Sequence, residues 1–185
     1  LNISVTIETS DVLLQQLTHD QLDLVVARIP QGHPYDGLNF EPFGEEVIHI
    51  VARNDHPQVK NSNVDLAKLC EYPWVVQSQP TPLREIFNQI FREAQIPAPL
   101  SLVETASTML TVSLLQQTDM LALMPLTLVE YYSSLGVLSR VPVSVSGRLT
   151  PFGLISRKSR LPTSSMRVAA DALRAQSRQM GRTQY

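Results

Sequence analysis

A single cysteine, Cys70, stands in a chain of 185 residues, so no internal disulfide can form and the composition fits a reducing compartment. Glycine is scarce as well. Seven residues leave little room for a phosphate-cradling loop, and neither G-x-G-x-x-G nor G-x-x-x-x-G-K-[ST] occurs. The nucleophile elbow G-x-S-x-G and the zinc motif H-E-x-x-H are missing too. Four scattered histidines (His19, His33, His49, His56) have no spacing suited to a metal. Cys70, beside Ala67 and Leu69, reads as a buried inert thiol rather than a nucleophile. No catalytic residue, metal or cofactor is therefore expected. No run approaches the roughly 20 apolar residues of a membrane span. No charged stretch followed by an apolar core opens the chain, so no signal peptide is expected. Positive charge is not in excess: Lys+Arg 15 against Asp+Glu 17 give a net charge of -2 and a pI near 6.1. A segment with that balance is not expected to grip a phosphate backbone itself.

What is present is an alternation of strand-like and helix-like runs, with 43% hydrophobic residues and a mean hydropathy of -0.02. It begins with Ile3–Ile7, a strand by its apolar alternation, and Val12–Leu17, a helix preceded by the capping side chains of Ser10 and Asp11. Leu22–Ala27 then forms a near-continuous apolar run, the pattern of a strand buried on both faces of a parallel sheet. Strand, helix and strand make one right-handed βαβ unit, and Ala27-Arg28-Ile29-Pro30 falls at the sheet edge where ligands bind. Leu38–Phe43 contains Pro42 and reads as an edge strand, and Val47–Ala52 is a second strongly β-branched run, read as a strand of its own. A short helix is expected over Val64–Cys70, and a strand follows at Tyr72–Gln77.

The strongest helix signal follows Thr81, a capping residue, and Pro82, which suits the first helical position. Leu83, Ile86, Phe87, Ile90 and Phe91 repeat at helical spacing until Pro97 and Pro99 forbid continuation. Strands at Leu100–Glu104 and Met120–Met124 alternate with helices capped by Ser107 and opened by Pro125. Val137–Val145 is extended, and Phe152–Arg157 is the last strand. Thr163, Ser164 and Ser165 cap a final helix with Met166, Val168, Ala169, Ala172 and Leu173 inward, and the polar tail from Gln176 is expected to fray. The chain thus reads as α/β, a two-lobed structure with Rossmann-like lobes joined by two crossover segments. The first lobe is 1–45 plus 160–185 and the second 46–159, with crossings near Gly44–Val47 and Arg157–Leu161. A cleft between lobes is the natural place for one small molecule.

Three loops are candidates to line it. Arg28, after Ala27, could meet a carboxylate or sugar hydroxyl with its planar fork, or make an ordinary ion pair. Gln77, Ser78, Gln79 and Thr81 precede a helix whose free N–H groups accept anions or hydroxyls, although capping alone explains Thr81. Thr105, Ser107 and Thr108 form a hydroxyl-rich loop that is a capping cluster on the plainest reading.

The motifs taken together carry a resemblance. Leu22-Asp23-Leu24-Val25-Val26-Ala27, Phe40-Glu41-Pro42-Phe43 and Val51-Ala52-Arg53-Asn54-Asp55-His56-Pro57 resemble the effector-binding domain of LysR-type transcriptional regulators. Tyr72-Pro73-Trp74-Val75-Val76, Thr81-Pro82-Leu83-Arg84, Val103–Ser107, Leu121–Pro125 and Gly153–Arg157 continue the match in order, most like the subgroup named for the galactose-binding protein regulator. The resemblance implies a type 2 periplasmic-binding-protein-like fold, a small-molecule effector (sugar, sugar acid or carboxylate), and no enzyme activity. It implies a cytoplasmic homodimer or tetramer that meets DNA only through an N-terminal helix-turn-helix outside this sequence. A solute-binding protein of a transport system, on the same fold, is the alternative. Family pocket positions carry over to Ala27, Arg28, Gln77–Thr81, Thr105–Thr108, Met124 and Pro125. The family domain ordinarily starts with one more strand and helix ahead of Leu1, so the first lobe is expected to be incomplete. Gln117-Thr118-Asp119 also departs from the glycine-rich turn of many relatives. The helices at Val12–Leu17 and Leu83–Phe91 are candidate self-association surfaces, with burial in the core as the competing reading.

Overall fold

The computed structural model describes residues 2–29, 36–145 and 147–181. Its elements alternate as the sequence indicates: α1 (Ser10–Thr18), β1 (Val25–Arg28), β2 (Leu38–Arg53), α2 (Leu66–Leu69), β3 (Trp74–Val76), α3 (Pro82–Glu93) and β4 (Leu102–Glu104). Next come α4 (Thr108–Gln117), β5 (Leu121–Pro125), α5 (Leu126–Ser134), β6 (Leu138–Arg140), β7 (Arg148–Arg157) and α6 (Ser164–Gly181). Contacts divide the chain into two compact units, Leu1–Glu45 with Thr150–Tyr185, and Glu46–Leu149. The sequence places the return crossing near Arg157–Leu161. The contacts change unit at Leu149–Thr150 because β7 is already paired with β1 from Phe152 to Ile155.

The second unit is the more regular. β3 lies between β5 and β4 and runs parallel to both, while β2 pairs antiparallel with β5 and with β6. α3 forms where the sequence predicts, because Thr81 caps it, Pro82 opens it and its apolar stripe has a core to meet. Ile86, Phe87, Ile90 and Phe91 are 1–8% exposed, so this stripe is core and not a self-association surface. Phe87 and Phe91 stand edge-on to the fully buried Trp74, at 5.3 and 5.6 Å between ring centroids. The indole N–H of Trp74 donates to the Leu69 carbonyl at 2.9 Å, satisfying the one polar atom such a ring brings into a core. α2 is capped by Asp65, and Gly136 takes the positive φ of 69° that ends α5. Leu38–Phe43 and Val47–Ala52, predicted as separate strands, are one strand, β2.

In the first unit three expectations are corrected. Residues 2–9 form no strand, and Ile3, Val5 and Ile7 are 64–90% exposed, because no neighbouring strand offers them a ladder. β1 does not join a parallel βαβ unit. Among the described residues it pairs antiparallel with β7 alone and leaves Val26 40% exposed, so it is not buried on both faces. On α6 the inward face is Met166 and Ala170, with Val168 and Leu173 exposed and the helix continuing past Gln176. That rotation puts Arg174 where its Nε and Nη2 donate to the Glu41 carboxylate at 2.8–3.0 Å. Buried Arg157 ties β7 to the end of α1, donating to the Leu22 carbonyl at 3.0 Å and to that of Leu17, and pairing with Asp20 at 2.8 Å. A cation there meets the negative end of the helix. Leu14 and Leu17 of α1 are buried against Val25, Ala27, Ile29, Leu38 and Ile155.

Candidate functional site

Because β5, β3 and β4 are parallel neighbours, their carboxyl ends lie at one edge of the second unit's sheet, about 4.8 Å apart strand to strand. The loop of Gln77, Ser78, Gln79 and Thr81 leaves the middle strand. The loop of Thr105, Ser107 and Thr108 leaves one flank, and Met124-Pro125 ends the other. The last rung holds the first two loops together: Val76 pairs with Glu104, and the Thr105 N–H donates to the Val76 carbonyl at 2.9 Å. α3, α4 and α5 all begin at this edge, so free N–H groups collect there.

Some of the predicted side chains are engaged locally. The Thr81 hydroxyl accepts from the Arg84 N–H at 3.4 Å and donates to the Ser78 carbonyl at 3.0 Å. Thr105 Oγ1 accepts from the Ser107 N–H at 3.1 Å, and Ser107 Oγ accepts from the Leu110 N–H at 3.2 Å. Both hydroxyls keep a proton to donate. Ser78, Gln79, Ser107 and Thr108 are exposed. Met124 is different: its side chain is 3% exposed and packs with Val51, Val75, Leu115 and Val129, so it belongs to the core beneath the edge. α5 begins at Pro125 without a side-chain cap, and Thr127 of its first turn donates to Glu46 at 3.1 Å.

The residue that sequence reasoning missed is Arg84. It is the third residue of α3, and its Nη1 donates to the Gln77 carbonyl at 3.2 Å and to Glu104 Oε1 at 2.8 Å. Its side chain is 11% exposed, and the guanidinium lies 5.7 Å from the Phe87 ring centre. A cation in the first turn opposes the helix dipole by about 0.3–1 kcal/mol. That local conflict is the signal by which it could have been found.

Ala27 and Arg28 lie in the first unit, at the end of β1. Ala27 faces Gly153 across the ladder, and the Arg28 guanidinium stands 5.5 Å from the centre of the Phe152 ring and donates to the Thr150 carbonyl. Pro30 is outside the described residues. The same unit contains a cavity of about 360 Å³ beside α6. Of the arginines that line it, Arg160 pairs with Asp23 at 2.7 Å and Arg174 with Glu41 and Asp171. The Arg174 hydrogen bonds hold the Glu41 carboxyl below the usual range. Burial pushes the Cys70 thiol up, so it stays protonated, donating to the Pro97 carbonyl at 3.4 Å. Among the described residues no group of three His, Cys, Asp or Glu could hold a metal ion. No helix there is long and apolar enough to cross a membrane.

A family model described as the LysR substrate binding domain matches residues 1–178. The HTH-type transcriptional regulator GbpR of Azospirillum brasilense is 26% identical over 178 residues, which are 96% of this chain and 52% of that protein. GalR of Pseudomonas putida, also an HTH-type transcriptional regulator, is 29% identical over 148 residues, 80% of this chain and 37% of its own length. The chain thus spans about half or less of the regulators it matches. Among solved structures, the effector binding domain of QuiR in complex with shikimate superposes with a TM-score of 0.69 at 16% identity, covering 96% of this chain and 80% of that one. The regulatory domain of Synechocystis CcmR in complex with 2-PG gives 0.74 at 14% identity, covering 95% and 83%. These likenesses show the fold, which is of the type 2 periplasmic-binding-protein-like kind. By the match over residues 1–178, the chain belongs to the LysR substrate-binding domain family.

Proposed function

We propose that this chain is the effector-sensing module of a LysR-type transcriptional regulator, and that a small hydroxylated molecule binds at the β3–β4–β5 edge of its second unit. The observation that carries this reading is the gathering of Gln77, Ser78, Gln79, Thr81, Thr105, Ser107 and Thr108 at two adjacent strand ends, those of β3 and β4, in a chain whose relatives are regulators. Hydroxyls and amides dominate there, and the nearest cation, Arg84, is already matched by Glu104. That chemistry suits a sugar, a sugar acid or a hydroxy carboxylate. Shikimate and 2-PG, held by the two solved relatives, belong in the first panel of compounds. The regulators among its relatives favour this reading over a solute-binding protein of a transport system. The reading carries with it a cytoplasmic homodimer or tetramer, DNA contact through a helix-turn-helix outside this sequence, and no catalysis. It also has the first unit completed by a further strand and helix. The support for that is β1, which has a partner on one side only among the described residues, and the exposed Ile3, Val5 and Ile7.

A thermal-shift screen against sugars, sugar acids, shikimate, 2-PG and aromatic carboxylates tests the proposal. A ligand at a hundred times its dissociation constant adds about 2.7 kcal/mol to the stability of the folded state. The shift is expected to vanish in Thr108→Ala and Ser78→Ala, which remove exposed hydroxyls without removing a helix cap. A folded chain that shifts with nothing in the panel, or a shift that survives both substitutions, would overturn the proposed site.

A further inference from the structure

We infer that Arg84 is a positioning residue for this edge, a clamp that sets the β3–α3 loop against the end of β4 so that both loops present their polar groups together. The inference rests on the proposed effector site and adds to it the residue that shapes it. Val76 and Glu104 form the last register pair of β3 and β4, and beyond the Thr105-to-Val76 hydrogen bond the ladder holds nothing further. Arg84 reaches back from the first turn of α3 to just that point. One nitrogen, Nη1, bonds both the carbonyl of Gln77, the first residue after β3, and the carboxylate of Glu104, the last residue of β4.

Two features separate this from a surface ion pair. The arginine is nearly buried while its partner Glu104 is half exposed, so the cation has been withdrawn from water to reach the loop. Its Nε–H is buried and has no acceptor among the described residues, so the side chain forgoes a hydrogen bond to keep its Nη1 contacts. Both contacts come from one nitrogen at the tip of a long side chain whose weakly hydrated, planar guanidinium lies nearly buried, 5.7 Å from the centre of the Phe87 ring. A lysine keeps the charge, but its stem is shorter and its compact, strongly hydrated ammonium suits so buried a place less well.

The test is amide hydrogen exchange on the wild-type chain, Arg84→Lys and Glu104→Gln. Gln at position 104 keeps a carbonyl acceptor and loses only the charge. Arg84→Lys is expected to speed exchange at Ser78, Gln79, Thr81 and 106–108 by about tenfold or more relative to the amides of β3, β5 and Phe87–Glu93. Glu104→Gln is expected to stay near wild type. The inference is overturned if the lysine variant exchanges like wild type, if the loops and sheet speed up in equal proportion, or if Glu104→Gln loosens the loops while Arg84→Lys does not. Should either variant fail to fold, the other decides by the same comparison. Wild-type exchange with millimolar shikimate or D-galactonate tests the underlying site separately. Protection of the same loops supports both readings. An intact lysine effect with no protection from either compound leaves the clamp and removes the support for an effector at this edge.

Discussion

Gly153→Ala is expected to cost the first unit much of its stability, although φ at Gly153 lies outside the region that favours glycine. The reason is space. A Cβ built on Gly153 would stand 2.2 Å from the Glu41 carbonyl oxygen, 2.9 Å from the Glu41 carbonyl carbon and 2.7 Å from the Phe40 ring. Ordinary contact begins near 3.4 Å, so the Glu41 backbone and Gly153 must part by more than 1 Å. The offending atoms are backbone, so no rotamer relieves them, and the parting stretches hydrogen bonds on the Glu41 side of β7. Overpacking costs about 1–3 kcal/mol, and two weakened hydrogen bonds add about 1 kcal/mol each, giving about 3–5 kcal/mol in all. Gly147→Ala is the internal control. Its Cβ would meet Ile86 Cγ2 at 2.8 Å, one side-chain methyl of a stiff, buried residue and no backbone atom, so a smaller loss of about 1–2 kcal/mol is expected. Urea unfolding followed by far-ultraviolet circular dichroism ranks the two. A Gly153→Ala chain as stable as wild type, or less damaged than Gly147→Ala, would refute the steric reasoning.

Other expectations are as direct. Phe91→Ala should remove about 3–5 kcal/mol, because Phe91 is buried against Trp74 and Phe87. The chain's single tryptophan reports this by fluorescence during unfolding, and an unchanged midpoint would contradict the packing. His56 is wholly buried and neutral. Its Nδ1 accepts from the Gln58 N–H at 3.1 Å, which makes Nε2 the donor to the Asp119 carbonyl at 3.3 Å. Burial lowers its proton affinity below the ordinary 6.5, as burial and then Arg140 do for His49. The unfolded chain therefore binds more protons, so stability is full above pH 6.5 and falls as the pH drops below it. Denaturant titrations from pH 8 to 5 measure this, and a flat profile would contradict the neutral buried ring. Ile3→Ser, Val5→Ser and Ile7→Ser should each change stability by less than about 0.5 kcal/mol, and a larger loss in urea titration would mean that the segment is packed.

What the sequence disclosed of the fold was whatever depends on near neighbours. Thr81 and Ser107 cap helices where their side chains said they would, and the Leu83–Phe91 stripe specified α3 and its buried face, whereas Ser10 and Asp11, expected as caps, lie inside α1, which has no side-chain cap. β1 was misread because the pattern of Leu22–Ala27 states how apolar a strand is, not which strand lies beside it. Its partner, β7, is more than a hundred residues away and antiparallel. The face of α6 was misread for a related reason. Val168 and Leu173 are the more hydrophobic choice, but the Arg174–Glu41 contact and the burial of Met166 and Ala170 set the rotation together.

Two arginines, Arg28 and Arg84, show where reading a site from sequence stops. Arg28 ends β1 and is a candidate to meet carboxylates, yet its guanidinium sits on Phe152 and the Thr150 carbonyl. Arg84 sits inside a helix signal strong enough to explain every neighbour, so it passed as an ordinary member of the first turn. Its role depends on Glu104, twenty residues on, being brought alongside by the parallel pairing of β3 and β4. Hydroxyl residues are legible as candidates because a strand-to-helix loop needs caps and displays them. A clamp between two loops becomes visible only once the register is known, because its two partners belong to different strands. The local fault it leaves in the sequence, a cation in the first turn of a helix where the dipole disfavours it, is the mark to look for in other chains of this kind.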